Sequence, residues 1–304
     1  MNQKSKPGIP HSTFRTPYSA TGRAFTLVEL LVVIAIIAIL AAMILPVFSV
    51  AMTHAKKTQS KLQVNQISSA IEQYESQYSR MPVSSYVQQS GSNNVTYGGI
   101  YNSASGSGNL YPSTSYGSAW QATLGGFSTP VGLYMTNNSD VMSILLDLTN
   151  YPNTNSWTVN TNYQKNPMRT VFLNGSFTAD AFSPGLGTDL NYRDPWGNPY
   201  LITMDLNDDN KAEDPFYAPI WMSSATAAAG GPGVYGLSYQ TADQYYLFHG
   251  NVMVWSMGPN GPFNHSPSSF TYPAPNGIPA PPAGANTAWA LDPSNKNHIL
   301  SWSQ

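Results

Sequence analysis

The sequence predicts an α+β chain: one long N-terminal α-helix, transmembrane at first and amphipathic beyond, packed against a small antiparallel β-sheet head. Three observations predict it. Phe25 to Leu45 is an apolar run of 21 residues with no proline or glycine and a single charge, Glu29. From Val47 to Tyr78 apolar residues recur at roughly helical spacing between lysines and glutamines. Further on, short apolar or alternating segments are punctuated by Asn-Gly, Pro-Trp-Gly-Asn and Gly-Pro-Asn-Gly turns, the pattern of a small sheet.

The apolar run, 25–45, makes a helix of roughly 31 Å at about 1.5 Å per residue, enough to cross the hydrocarbon core of a bilayer. A cleavable secretory signal has a shorter apolar stretch and an A-x-A-like site after it, so this helix is expected to be retained. Residues 1–24 carry Lys4, Lys6, Arg15 and Arg23 and no acid, which favours a cytoplasmic N-terminus and an exported remainder. Lys56, Lys57 and Lys61 on the far side oppose that preference. An ionised side chain at bilayer depth is costly enough to imply a partner and a task, so Glu29 reads as functional. The plainer reading is a carboxylate on the first turn of an ordinary anchor, suited to the helix N-terminus and snorkelling to the interface.

Pro46 is expected to kink the helix without ending its apolar pattern. The continuation, 46–80, carries Val47, Phe48, Val50, Ala51, Ala55, Leu62, Ile67, Ala70, Ile71, Tyr74 and Tyr78 as its apolar set, with Tyr74 and Tyr78 packing at i and i+4. Arg80-Met81-Pro82 ends it. The region 81–190 is loop-rich, and its stretch from Ser84 to Ala119, rich in Ser, Gly, Asn and Tyr, reads as a long loop or irregular hairpin. Val95 and Ile100 hint at some β-structure there. A short helix is predicted over Val141–Leu148, with Asp140 as N-cap and Ile144, Leu145 and Leu148 facing inward. Strand candidates are Thr170–Leu173, Tyr200–Met204 and Val252–Ser256, the last two in a hairpin-bearing segment, 191–304. No internal repeat is evident.

Only 9% of residues are charged and the net charge is −2, which points away from a nucleic-acid groove. Cysteine is absent, so disulfides, thiol catalysis and thiolate metal sites are excluded together. His11, His54, His249, His265 and His298 show no metalloprotease spacing, and neither a serine elbow nor a phosphate-binding loop is present. Gly230-Gly231-Pro232-Gly233 reads as a turn. Nothing in the sequence argues for an enzyme. One acidic cluster, Asp205 to Asp214, sets Asp205, Asn207 and Asp209 at the first, third and fifth positions of a calcium loop, with Glu213 nearby. Asn210 replaces the usual glycine and Phe216 the bidentate glutamate, so a solvated acidic hairpin tip is the preferred reading and calcium the alternative.

Two sets of residues resemble a known family. Gly22-Arg23-Ala24-Phe25-Thr26-Leu27-Val28-Glu29-Leu30 resembles the prepilin leader of type IV pilins and type II secretion pseudopilins. The resemblance implies that a prepilin peptidase cuts between Ala24 and Phe25 and N-methylates Phe25, although Ala24 stands where the family usually has glycine. It also implies the type IV pilin fold, with Pro46 at the family's proline position. Glu29 would meet the Phe25 amine of a neighbouring subunit during assembly and so set register. Asp194-Pro195-Trp196-Gly197-Asn198-Pro199-Tyr200 and Val254-Trp255-Ser256-Met257-Gly258-Pro259-Asn260-Gly261 look like the paired hairpin motifs of the major pseudopilin. In the first, Pro195 presets φ while Gly197 and Asn198 accept unusual backbone angles under a Trp196 lid.

The family's calcium loop follows the second motif, and this chain departs there. Asn260 replaces an aspartate, and Asn295 to Trp302 resembles the closing segment with amides for acids, which weakens a calcium site. The implied function is a structural subunit of a type II secretion pseudopilus, anchored in the inner membrane by a single pass with its head in the periplasm. It would assemble with copies of itself and other pseudopilins on the inner-membrane secretion platform and help move exoproteins across the outer membrane. The alternative is a type IV pilin or minor pilin whose head binds a surface, glycan or DNA.

Overall fold

A computed structural model describes residues 25–98, 118–124, 127–135, 137–152, 154, 156–214, 217, 236–240, 245–260 and 298–302. The chain divides into two compact units, Met1–Val50 and Ala51–Gln304.

The first unit is the start of helix α1, Leu27–Tyr78. A backbone surrounded by lipid must bond to itself, and an unbroken helix is the form that a single apolar segment can use. Its apolar side chains point outward all round: Leu27, Leu30, Ile34, Ile37 and Leu40 are all more than half exposed. The helix has the length and composition to cross a membrane. It runs on through Pro46 without a break, consistent with a proline costing a membrane helix one backbone bond rather than the element.

The second unit begins within α1. Here the helix buries a stripe of Ser60, Val64, Ile67, Ala70, Ile71 and Tyr74, spaced three or four residues apart along one face. Three residues of the expected apolar set in this unit lie elsewhere. Ala51 and Ala55 are exposed, and Leu62 is 58% exposed because five residues of helical rotation carry it to the side opposite Ile67. The helix stops at Tyr78, followed by Ser79 at φ 52°. Met81 then precedes Pro82, which disfavours helical backbone before it.

The remaining elements are α2 (Ser85–Gln89), β1 (Asn94–Tyr97), β2 (Ser118–Leu124), β3 (Phe127–Met135), α3 (Ser139–Leu145), β4 (Gly185–Leu186), β5 (Tyr192–Arg193), β6 (Leu201–Asp205), β7 (Lys211–Ala212), β8 (Ser238–Gln240), β9 (Tyr245–His249), β10 (Val252–Ser256) and β11 (Ile299–Leu300). The main sheet has the order β11-β10-β6-β1-β3-β2. Its neighbours run antiparallel except β1 and β3, which pair in parallel with Val95 opposite Leu133. Two smaller antiparallel sheets, β4-β5 and β7-β9-β8, flank it. The α+β architecture, a long apolar helix with antiparallel sheets, is that of the type IV pilin fold.

Three local expectations change. The short helix begins at Ser139 and ends at Leu145, so Asp140 lies in its first turn and Asn138 takes the N-cap position. The Asn138 carboxamide is used elsewhere: its Nδ2 donates to the carbonyls of Tyr192 and Tyr200, both at 3.0 Å, and its Oδ1 accepts from Tyr192 N. Thr170–Leu173 is not a strand, since the Phe172 and Leu173 N–H groups donate to the Leu145 carbonyl at the end of α3. The loop-rich stretch from Ser84 supplies α2 and the central strand β1, whose four residues are all buried between β6 and β3. Ile100 lies outside the described residues. Where α1 meets the head, the rings of Tyr74, Tyr78 and Phe172 cluster with centroids 4.7 to 6.2 Å apart. Tyr200 Oη donates to Gln63 Oε1 at 2.6 Å, tying the sheet to the helix.

Candidate functional site

Two places carry the expected site residues, the start of α1 and the turns of the head. Ahead of α1, Thr26 and Glu29 form a reciprocal hydrogen-bonded box. Glu29 N donates to Thr26 Oγ1 at 3.2 Å, while Thr26 N and Thr26 Oγ1 both donate to Glu29 Oε2 at 2.8 Å. The first N–H groups of a helix lack partners within it, and this box satisfies two backbone donors and orients the carboxylate at once. Glu29 is thereby tied to Thr26, the neighbour of Phe25, which is 77% exposed. Thr26 is a contributor that the sequence reading passed over, although its signal, Thr-x-x-Glu before an apolar run, is plain. Ala24 lies outside the described residues.

In the head the two hairpin motifs meet. Asp194 closes its own turn, its Oδ1 accepting from Trp196 N and Asn198 N, both at 2.9 Å. The same carboxylate reaches across to the second motif, with Oδ2 accepting from Ser256 Oγ at 2.6 Å. Gly258 N donates back to Ser256 Oγ at 3.0 Å, and Asn198 Nδ2 donates to the Gly258 carbonyl at 3.3 Å. Gly197 and Gly258 have φ of 93° and 72°, where a side chain would strain the backbone. Pro195 is buried and Trp196 half-buried over the turn. Burial pushes the Asp194 carboxyl upward, and the donated hydrogen bonds oppose that. The arrangement is a rivet that locks the loop before β6 to the end of β10.

Trp255, the first residue of the second motif beyond Val254, is fully buried and donates from Nε1 to Asp214 Oδ2 at 2.9 Å. Asp214 also accepts from Thr203 Oγ1 at 2.8 Å and from Tyr217 N at 3.2 Å. Tyr217 Oη and His298 Nδ1 share a hydrogen bond of 2.7 Å. Burial holds the His298 imidazole at about 3, so it is neutral. This network fixes β11 against the sheet. No spacing in the sequence signals it, since its members come from four separate segments.

The acidic cluster sits in the loop between β6 and β7. Asp205 is fully buried rather than solvated, and its two oxygens accept from Asn207 N at 3.0 Å and Asn210 N at 2.8 Å. Asn207 and Asp209 lie on the exposed part of the loop, where Asp209 Oδ1 accepts from Lys211 N. Glu213 lies beyond β7, its N–H directed at Asn94 Oδ1. Among the described residues no three histidine or carboxylate side chains converge on a point that could hold a metal ion. The expected position-12 residue, Phe216, lies outside the described residues, as does most of the segment that carries the family's calcium loop.

Residues 22–45 match the prokaryotic N-terminal methylation motif. That match supports a prepilin-like type IV pilin family, and with the long apolar helix it is consistent with membrane anchoring. Such a motif implies processing by a prepilin peptidase and assembly into a filament. No curated protein and no solved structure matches the chain.

Proposed function

We propose that this chain is a structural subunit of a type II secretion pseudopilus, polymerising through its N-terminal helix into a periplasmic filament that helps move exoproteins across the outer membrane. The observation that carries the reading is the rivet of Asp194 with Ser256, which joins the two hairpin motifs that resemble those of the major pseudopilin. Assembly uses the box at the helix start: Thr26 orients the Glu29 carboxylate, and a neighbour's Phe25 amine gives that carboxylate an opposite charge in a low-dielectric medium. Incorporation into filaments tests it. Glu29→Ala is expected to process normally yet fail to co-assemble with wild-type subunits, and normal assembly of that variant would count against the reading.

A second reading, a type IV pilin whose head binds a surface glycan, draws on Trp157, Phe177 and Phe182, which are 65%, 56% and 83% exposed within the 81–190 region. Aromatic rings of this kind supply contact area for a partner. A glycan array with no binding above background would remove it.

A further inference from the structure

With 11 methionines and no cysteine, the chain leaves its sulfur redox chemistry to thioethers alone. Met81, Met135, Met142, Met204, Met253 and Met257 are buried, none more than 7% exposed, whereas Met168 is 69% exposed. The other exposed ones among the described residues, Met43 and Met52, lie on α1 ahead of its buried stripe. Asn166 clamps the turn that carries Met168. Its carbonyl accepts from Arg169 N at 3.0 Å, its Oδ1 accepts from Thr170 N at 3.1 Å, and its Nδ2 donates to the Thr170 carbonyl at 2.7 Å. Met168 N donates to Tyr78 Oη at 3.1 Å, so the backbone of the turn is tied to the end of α1. One helical residue earlier, Gln77 Nε2 donates to Met168 Sδ at 2.8 Å and to Thr170 Oγ1 at 3.3 Å. A thioether sulfur accepts only weakly, so this amide donor is under-used.

We propose that Met168 is a reversible oxidation site of the head, converted to the sulfoxide by peroxides, and that Gln77 receives the new oxygen. A lone pair of Sδ attacks one peroxide oxygen, and the S–O bond forms as the O–O bond breaks. The departing oxygen takes the proton of the transferred one and leaves as water, so sulfur loses two electrons and the peroxide gains them. Oxidation of a buried methionine puts a polar group into the core, but here the sulfur is already at the surface. The sulfoxide oxygen is a stronger acceptor than the sulfur it sits on, and the flexible methionine side chain brings it to the Gln77 amide. Oxidation therefore tightens the contact between the end of α1 and the turn instead of loosening it. A methionine sulfoxide reductase with a thiol reductant returns the thioether.

The test uses the full chain in detergent, treated with dilute hydrogen peroxide and followed by peptide mass spectrometry and thermal unfolding. Met168 is expected to gain one oxygen about tenfold or more faster than the buried methionines of the head. The melting temperature should then rise by about 2 °C and return after treatment with the reductase. Gln77 is exposed, so Gln77→Leu leaves the core untouched; it should oxidise at Met168 without the rise. Met168→Leu should show no rise on peroxide treatment, which separates Met168 from every other methionine. Oxidation of the buried methionines as fast as Met168 would overturn the site. So would an unchanged or lowered melting temperature in the oxidised wild type, an equal rise in Gln77→Leu or Met168→Leu, or a sulfoxide that the reductase leaves in place.

Discussion

Asp194 orders two segments of the head at once, since one buried group closes its own turn and holds Ser256. Replacing it with asparagine leaves the shape but turns one acceptor into a donor facing Ser256 Oγ. The expected cost is about 1–3 kcal/mol, read as a lower urea midpoint at neutral pH with unchanged slope, and an unaltered midpoint would contradict the rivet. Asp140 makes the opposite kind of prediction. It is 1% exposed, its Oδ2 has no hydrogen-bond partner, and burial raises its pKa to about 6, partly offset by Lys165. The raised pKa means that the folded state holds the proton more tightly than the unfolded chain. Its stabilising contribution is therefore full below the unfolded value near 3.8 and is lost as pH rises through about 6. The shift corresponds to roughly 3 kcal/mol. Urea midpoints between pH 4 and 7 should fall more steeply with pH for the wild type than for Asp140→Asn, and parallel curves would refute the assignment. Thr26 is the third test. Thr26→Val removes the hydroxyl of the helix-start box while Thr26→Ser keeps it, so only the valine variant should speed amide exchange at Leu27–Leu30 in micelles.

Among the elements, the loop between β6 and β7 closes through the Asp205 and Asp209 carboxylates, which accept from backbone N–H groups of the loop. Millimolar calcium is accordingly expected to leave the melting temperature of the head unchanged, and a reproducible upward shift would establish a cation site there. What could be read beforehand depended on how local the determinants are. β6 and β10 were legible because Tyr200–Met204 and Val252–Ser256 are apolar runs closed by turn residues. β1 was legible only as a hint of β-structure at Val95, because four residues inside a Ser- and Asn-rich stretch owe their central place to partners about 40 and 110 residues away. Thr170–Leu173 has strand-like composition, yet its donors find the end of α3 first. The same contrast holds for the site. Phe25 and Glu29 are fixed by spacing along one helix, and the Asp194 and Ser256 motifs by their turn residues. Asp214, Thr203, Tyr217 and His298 come together only through the fold.

For the whole molecule, the apolar run 25–45 and a charge-poor second unit suit the proposed reading, in which the helix start serves anchoring and register and the head is what the filament presents. The Glu29 box and the adjacent Phe25 matter only if the chain ends at Phe25, because the terminal amine exists only after cleavage. Mass spectrometry of the mature N-terminus tests this most directly, on protein produced with an active prepilin peptidase. The account predicts a chain that begins at Phe25 and carries one added methyl group on its amine. A chain retaining residues 1–24, or one cut at another bond, would contradict it.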